Sequence, residues 1–270
     1  MKPMISQKPH LAPAFMRVLI CAFAALTTLQ VARADAPPVA PEPKALIEKS
    51  IESAGGREKL SAIKSMSISG EISMPAQNIN GTLQVHIKPE KASIIADLPG
   101  IGQIKSGIDG DIAYEVSDVM GARLLSEDEK KQLLDGMNPD DQFEKYLKLK
   151  DMKVTGPEKV DDSEAWKLTG TNESDDEESH WIDTKTYRAL KSKMVINHQM
   201  GKMPVEIHFK DYKTIDGIPF PSTISNTVGP ATMVMKLNDV KINPEIEDAK
   251  FTLPPEVKKL VEKQKKNESK

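Results

Sequence analysis

Apolar and polar residues alternate singly along most of this chain, and that two-residue period is typical of β-strands with one buried face. The pattern begins at Met66 and is plainest from Val205 onward, through a turn at Asp216-Gly217, until Pro254. Short turns separate the runs, so we count about ten or eleven antiparallel strands. An open sheet of that size tends to curl. The sequence therefore predicts a mainly β fold, in which a strongly curved antiparallel sheet forms an incomplete, unclosed β-barrel.

Two segments with the period of an α-helix interrupt the strands. The first occupies residues 45–63 and is divided by Gly55-Gly56, a helix-stop signal. The second occupies residues 126–149. It begins at Ser126, whose spacing to Glu129 is that of a capping box. Because helices inserted among strands usually cover a face or an opening of the sheet, we predict a helical lid over the half-barrel.

The N-terminal residues have the pattern of an export signal. Lys2, Lys8 and Arg17 precede an apolar run, and Ala32-Arg33-Ala34 fits the small-x-small rule for cleavage. A membrane anchor is the alternative, but the run is shorter than the roughly 20 apolar residues that a membrane-spanning helix needs. We therefore predict a signal peptide over residues 1–34, cleaved after Ala34, and a periplasmic protein.

Cleavage at this point changes the composition of the chain. It removes the only cysteine, Cys21, so the mature fold depends on burial and not on disulfides. It leaves 33 basic against 40 acidic residues, a net charge of −7. That charge argues against nucleic acid as a partner.

Three segments follow the predicted cleavage site. Residues 35–44 form a proline-rich linker, residues 45–254 a half-barrel domain, and residues 255–270 a charged C-terminal tail. From Glu256 to its end the tail holds six lysines against three glutamates. These lysines are either solvated, which we favour, or in contact with anionic head groups.

Two strand patterns change phase at an aspartate. The first change follows Ile207 and Phe209, at Lys210-Asp211, and the second occurs at Asn238-Asp239. An extra residue at such a point forms a β-bulge, which increases the curvature of a sheet. The alternative is a chance similarity between the two segments.

The sequence contains no pattern for catalysis or metal binding. The mature histidines, His86, His180, His198 and His208, are far apart in the chain and have no metal-ligand spacing. His86 and His208 fall on the polar phase of their strands and are predicted to be surface side chains. The acidic run 173–178 lacks the glycine and spacing of a calcium loop and is predicted to be a solvated turn. We therefore predict a protein that is not an enzyme and has no cofactor and no metal.

The apolar phase of the strands is the predicted binding surface. Methionine recurs on it among isoleucine and leucine, and its flexible, polarisable side chain suits irregular apolar ligands. The alternative is ordinary core packing against the helices. The candidate lining residues of a hydrophobic cavity are Met66, Ile68, Ile72, Met74, Leu83, Val85, Ile87, Ile94, Ile112, Tyr114, Trp166, Met194, Ile207, Phe209, Phe220, Ile224, Met233 and Met235.

Several turns and strand ends carry a family resemblance. The most specific are Phe209-Lys-Asp-Tyr212, Asp216-Gly-Ile-Pro-Phe-Pro221, Asn243 and Phe251-Thr-Leu-Pro254, with Asp109–Tyr114, Gly121-Ala-Arg123 and Trp181-Ile-Asp183 in support. Together they resemble the periplasmic lipoprotein-carrier superfamily, which contains the LolA, LolB and LppX-like outer-membrane lipoprotein-sorting proteins. The resemblance covers about residues 45–254.

The resemblance implies a half-barrel whose mouth is plugged by helices and whose hydrophobic cavity shelters acyl chains. The implied partners are an acylated lipoprotein or lipid and membrane-bound donor and acceptor proteins, with the chain itself a monomer. The alternative is a sensory or scaffolding interaction protein of the cell envelope, as in RseB-like regulators of similar fold. LolA latches its lid with an arginine from an early strand, whereas residues 66–74 and 82–87 contain none, and the mature arginines are Arg57, Arg123 and Arg188.

Overall fold

A computed structural model of the chain describes residues 39–135, 139–198 and 201–268. The predicted signal peptide, residues 1–34 with Cys21, and the first part of the predicted linker lie outside the described residues. Helix α1 begins at Pro43, so the last two residues of the predicted linker already belong to the folded domain.

All thirteen strands of the described residues belong to one antiparallel sheet. Consecutive strands are neighbours except β6 and β7, which form the two edges, and β1 pairs with β13. The sheet is therefore curled but unclosed, which confirms the predicted fold class. The strands are β1 Met66–Met74, β2 Ile79–Lys88, β3 Lys91–Leu98, β4 Gly102–Asp109, β5 Ile112–Ser117, β6 Gly121–Leu124, β7 Lys150–Val160, β8 Ser163–Thr171, β9 Glu177–Asp183, β10 Ala189–His198, β11 Gly201–Ile215, β12 Ile218–Val228 and β13 Ala231–Ile242.

The sheet has more strands than the ten or eleven expected, because β4, β6 and β7 have weak patterns of their own. Strand β6 has only four residues. Strand β7 contains a Gly-Pro pair and two register irregularities against β8, so its alternation is interrupted. These segments become strands because they pair with a neighbouring strand and not because their own residues strongly favour β-structure.

Five α-helices accompany the sheet among the described residues, and the predicted helical segments are confirmed. The capping box is present, since Ser126 and Glu129 exchange hydrogen bonds between side chain and backbone. The helices are α1 Pro43–Ser53, α2 Arg57–Ser61, α3 Glu127–Asp135, α4 Pro139–Lys148 and α5 Pro255–Glu268.

Two glycines explain how the sheet curls. Gly70 on β1 and Gly81 on β2 lie on the same face as Ile72. A Cβ atom at Gly81 would collide with the carbonyl oxygen of Asp97 on β3, and one at Gly70 with the carbonyl oxygen of Lys236 on β13. Adjacent strands therefore fold toward this face, which we call the inner face, because no side chain separates them.

One of the two candidate bulges is confirmed. The register between β1 and β13 shifts between Ser69 and Gly70, opposite Asn238-Asp239. At Lys210-Asp211 the bulge prediction is wrong, because the register between β11 and β12 is the same on both sides. Asp211 instead takes a φ of 54° and accepts a hydrogen bond from the Thr223 hydroxyl. The phase change at this point has a local cause.

The inner face near β7 to β9 is covered by helices α1, α2 and α4. Leu46, Ile47 and Ile51 of α1 and Leu60 of α2 are almost fully buried. They pack in one cluster with Trp166, Leu168, Ile182 and Ile218 of the sheet, and Phe143 and Leu147 of α4 join it. Helices α1 and α2 are therefore part of the core of the domain.

Helix α5 covers the other, outer face. Val257 is fully buried and packs with Tyr114 and Val116 of β5, and Val261 and Leu253 join the same cluster. The segment predicted only as a charged tail thus contains an amphipathic helix. Its lysines lie away from this packed face, so the preference for solvated lysines is compatible with the helix.

Candidate functional site

The strand registers bring sixteen of the eighteen candidate lining residues to the inner face. Met66, Ile68 and Ile72 lie on the inner face of β1. Residues paired across neighbouring strands lie on the same face, so the registers identify the inner-face residues of each following strand. Phe220 and Trp166 belong to the cluster beneath the helices. The inner-face candidates are Met66, Ile68, Ile72, Met74, Leu83, Val85, Ile87, Ile94, Trp166, Met194, Ile207, Phe209, Phe220, Ile224, Met233 and Met235.

Ile112 and Tyr114 lie on the outer face. Ala113 pairs with the inner-face residue Ile108, so its two neighbours on β5 point to the opposite side. There Tyr114 and Ile112 pack with helix α5. The apolar phase of β5 is thus reversed relative to that of β1 to β4, because helix α5 packs on the outer face of β5. Ile112 and Tyr114, predicted to line the cavity, therefore belong to the outer-face core.

Part of the inner face is an apolar surface formed by strands and by Ile101 of the turn between β3 and β4, which we call the strand-lined patch. Its buried members are Ile72, Leu83, Ala96 and Leu98. Of the helix residues whose side chains the structure describes, none belongs to it. The half-buried members that surround them are Met74, Ile79, Val85, Ile94, Ile101, Ile104, Met233, Met235 and Leu237.

An orphaned polar atom lies beside this patch. Asn226 pairs with Ile207 on one side and Met233 on the other, so its amide shares their inner face. Its Oδ1 atom is buried without a hydrogen-bond partner in the described structure. Such an acceptor lowers the stability of the ligand-free protein and is available to a donor on a bound molecule.

Helix α3 crosses the inner face next to the patch. Leu133 of α3 and the preceding Leu125 pack against Ala92, Ile108 and Ala113 of β3 to β5. The same helix contacts β10 on the other half of the sheet. It therefore spans the two halves, as a covering element does.

Two of the three mature arginines hold helices in place. Arg57 on α2 donates to Glu144 of α4 at 2.6 Å and to Glu48 of α1 at 3.1 Å. Arg123 on β6 donates to Glu129 of α3 at 2.8 Å. Strands β1 and β2 contain no arginine, but arginines of α2 and β6 form hydrogen bonds with the covering helices.

A buried polar cluster lies beneath α4, and sequence reasoning did not find it. His180 is 1% exposed, its Nδ1 lies 3.0 Å from the Ser192 hydroxyl, and its Nε2 lies 3.2 Å from Glu178 Oε2. The Tyr146 ring packs on the imidazole with centroids 4.3 Å apart. Burial raises the pKa of Tyr146 to about 12, although hydrogen bonding with Ser192 acts in the opposite direction. The fixed geometry and deep burial give this cluster a structural role, joining α4 to the sheet.

His86 and His208 lie on the outer face and are half-buried. Burial, followed by the nearby charge of Lys250, lowers the pKa of His86. The Nε2 atom of His208 lies 2.7 Å from Glu206 Oε1. Lys191 and Lys193 also bind Glu206, so the outer face carries a compact ion-pair network.

The acidic run 173–178 is held by lysines from three elements. Glu173 pairs with Lys131 of α3, Asp175 with Lys150 of β7, and Asp176 with Lys202 of β11. The Asn172 Oδ1 atom accepts hydrogen bonds from the backbone N–H groups of Ser174 and Asp176. The run is therefore a turn in which three carboxylates form ion pairs with lysines. Within the described ranges, no group of three or more histidine, cysteine or carboxylate side chains is arranged to hold a metal ion.

Two shallow cavities are lined mostly by residues outside the strand-lined patch, and one of them includes the patch member Ile72. One, of about 420 Å³, is a groove between β6 and α5 lined by Leu124, Leu260 and Lys263. The other, of about 500 Å³, is lined largely by outer-face residues such as Glu71 and Lys236. Among the described residues, no helix is both long enough and apolar enough to cross a membrane.

No protein-family model and no curated protein sequence matches the chain. Solved structures do. A DUF1329 family protein from Desulfovibrio piger is 14% identical, with a TM-score of 0.53 over 78% of this chain and 98% of that one.

Two further structures are similar with TM-scores of 0.48. A LolA superfamily protein from Nitrosomonas europaea is 16% identical and matches 80% of this chain and 99% of its own. A putative outer membrane lipoprotein-sorting protein domain from Vibrio parahaemolyticus is 14% identical and matches 78% of this chain and 97% of its own. At these identities the likeness concerns architecture alone. The chain therefore shares the fold of the DUF1329 family protein, and its resemblance to the LolA superfamily is confirmed at the level of the fold.

Proposed function

We propose that this protein is an exported, periplasmic carrier that binds the acyl chains of lipoproteins or lipids against the inner face of its half-barrel, without catalysis. The strand-lined patch is the observation that carries this proposal. It is apolar, it is half-buried at Met74, Met233 and Met235, and none of its members comes from a helix whose side chains are described.

Transfer of apolar surface from water supplies the energy. Burial stabilises each methylene by about 0.8 kcal/mol, so a chain of about sixteen carbons gains roughly 12 kcal/mol before the costs of association. The patch offers methionine, isoleucine and leucine, whose side chains can follow a flexible chain. Its lack of charge favours the acyl part of a ligand over the head group.

Export and a periplasmic location rest on the predicted signal peptide. A lipoprotein or lipid is the proposed cargo, with membrane-bound proteins as donor and acceptor, and a monomer is the proposed state.

Neighbouring residues of one strand provide a matched test. Met235 on β13 faces the patch between Ile72 and Ile224, whereas Val234 faces outward between Ser73 and Ser225. We expect Met235→Glu to weaken binding of a fluorescent C16 fatty acid at least tenfold, because a carboxylate then meets the chain. Val234→Glu adds the same charge on the opposite face and is expected to change the Kd less than about twofold. Equal effects of the two variants, or no binding by the wild type, would contradict the proposal.

The interaction-protein alternative predicts a different result. A sensory or scaffolding protein would contain no acyl ligand and would form a stable complex with a protein of the envelope. Fatty-acid titration of the exported protein separates the two functions, because only the carrier shows saturable binding that depends on Met235.

A further inference from the structure

Along eight consecutive strands of the half-barrel, the turns at one end differ in chemistry from those at the other. Because the sheet is antiparallel, the turns that follow β1, β3, β5 and β12 share one end, and the acidic turn 172–176 after β8 lies at that end on the other half of the sheet. The four turns after β1, β3, β5 and β12 are residues 75–78, 99–101, 118–120 and 229–230, which we call the apolar rim. Asp118 is the only charged residue in them. At the other end, the turns after β2, β4 and β11 contain Glu90, Asp111 and Asp216.

The four turns lie side by side. They connect eight consecutive strands of the sheet, in the order β6 to β1 and then β13 and β12. With strands about 4.8 Å apart, the turns extend in a row of roughly 30 Å. A row of this length suits a flat surface better than a single pocket.

Apart from Val39, which lies before α1, the most exposed large apolar side chains among the described residues lie in this row. Val119 is 72% exposed and Met120 is 71% exposed, at the tip of the hairpin that joins β5 and β6. The carboxylate of the adjacent Asp118 accepts a hydrogen bond from the backbone N–H of Gln103 at 2.7 Å. Two neighbouring apolar side chains in water, with no lysine or arginine in the turns, are typical of a site that enters an apolar medium.

The rim is continuous with the proposed binding surface. Met74 and Ile79 flank the first turn, Leu98 precedes the second and Ile101 lies in it, and all four are members of the strand-lined patch. An acyl chain that leaves a membrane at the rim would therefore meet apolar side chains all the way to the inner face.

We propose that the apolar rim docks on the surface of a lipid bilayer, with Val119 and Met120 inserted among the acyl chains, and that cargo enters or leaves at this end. The part concerning cargo rests on the proposed function. Because the rim carries no cationic side chain, docking depends on apolar contact and not on anionic head groups. Helix α5 differs because it is rich in lysine, and its binding to a membrane would require anionic lipid.

Vesicle binding by the protein purified after export tests the docking step. We expect flotation with phosphatidylcholine vesicles that changes less than about twofold between roughly 0.05 and 0.5 M salt. The double variant Val119→Ser, Met120→Ser should bind at least tenfold less. Val39→Ser is the matched control, because Val39 is 92% exposed but lies before α1, outside the rim.

A label on the rim reports insertion directly. The predicted mature chain has no cysteine, so Met120→Cys and, at the charged end, Asp111→Cys each carry a single environment-sensitive dye. We expect vesicles to increase the emission of the dye at 120 and to leave that at 111 unchanged. Equal signals, vesicle binding by the double variant at the level of the wild type, or binding that requires phosphatidylglycerol and disappears in high salt would each overturn the rim as the docking site. Fatty-acid titration without vesicles tests the carrier function separately, because the double variant should keep the wild-type Kd.

Discussion

The Arg123 guanidinium connects the edge of the sheet to helix α3, since its Nη1 donates a hydrogen bond to Glu129 Oε1 at 2.8 Å. Its Nε donates to Glu115 on the neighbouring strand at 3.3 Å. Glu129 is also the capping-box residue of α3, and it accepts from the backbone N–H of Ser126. One arginine thus fixes the first turn of the helix that crosses the inner face.

Replacement of Arg123 by methionine should loosen α3. Less than a quarter of either side chain in the Arg123–Glu129 pair is exposed, so its loss is expected to lower stability by about 1 kcal/mol. The amides of residues 127–135 should exchange faster with deuterium, while those of α1 stay protected. Arg188→Met serves as control, because that guanidinium lies over the Tyr212 ring. Unchanged exchange in α3 would show that Arg123 does not hold the helix.

Acid should destabilise the protein partly through Glu206. Burial disfavours its charged form, but hydrogen bonds from Lys193, His208 and Lys191 prevail and lower its pKa to about 2. The unfolded value is about 4.3, so this stabilisation is complete above that pH and is lost as the pH falls toward 2. Thermal unfolding of Glu206→Gln should therefore show a smaller drop in Tm between those pH values than the wild type. A parallel pH profile for both proteins would contradict the assignment.

The curl of the sheet should depend on Gly81. Alanine at this position places a methyl group against the Asp97 carbonyl, so we expect a loss of about 2 kcal/mol or more in the free energy of unfolding. Thr82→Ala, one residue along and on the opposite face, is the control and should cost less than about 1 kcal/mol. Urea denaturation measures both. Equal costs would mean that close approach of β3 at Gly81 is unimportant.

Leucine at position 226 should stabilise the ligand-free protein. The variant Asn226→Leu removes the orphaned acceptor and keeps a side chain of similar size among Ile207 and Met233, so we expect a gain of about 1 kcal/mol. The neighbouring Ser225→Ala faces outward and should leave the Tm nearly unchanged. A lower Tm for Asn226→Leu would indicate that the amide makes contacts that stabilise the fold.

Local patterns were sufficient to predict the sheet, the covering helices and most of the inner face. The alternation from Met66 to Met74 specifies which side of β1 is buried, and the Ser126–Glu129 spacing specifies where α3 begins. Both are properties of short segments and do not require knowledge of the partner strand.

Features that arise from partners distant in sequence were not predictable. Ile112 and Tyr114 alternate like inner-face residues, but helix α5, more than a hundred residues later, covers the other side of β5. His180 has no ligand spacing in sequence, yet it meets Tyr146 and Ser192 in the fold. At Asp211 a positive φ imitates the phase change of a bulge without altering the register.

Native mass spectrometry of the exported protein, purified without detergent, tests the central claim most directly. We predict added masses that match acyl-chain ligands, present in the wild type and in Val234→Glu and strongly reduced in Met235→Glu. A wild-type mass equal to that of the polypeptide alone, together with a lipid extract that contains no fatty-acyl species, would contradict the carrier function.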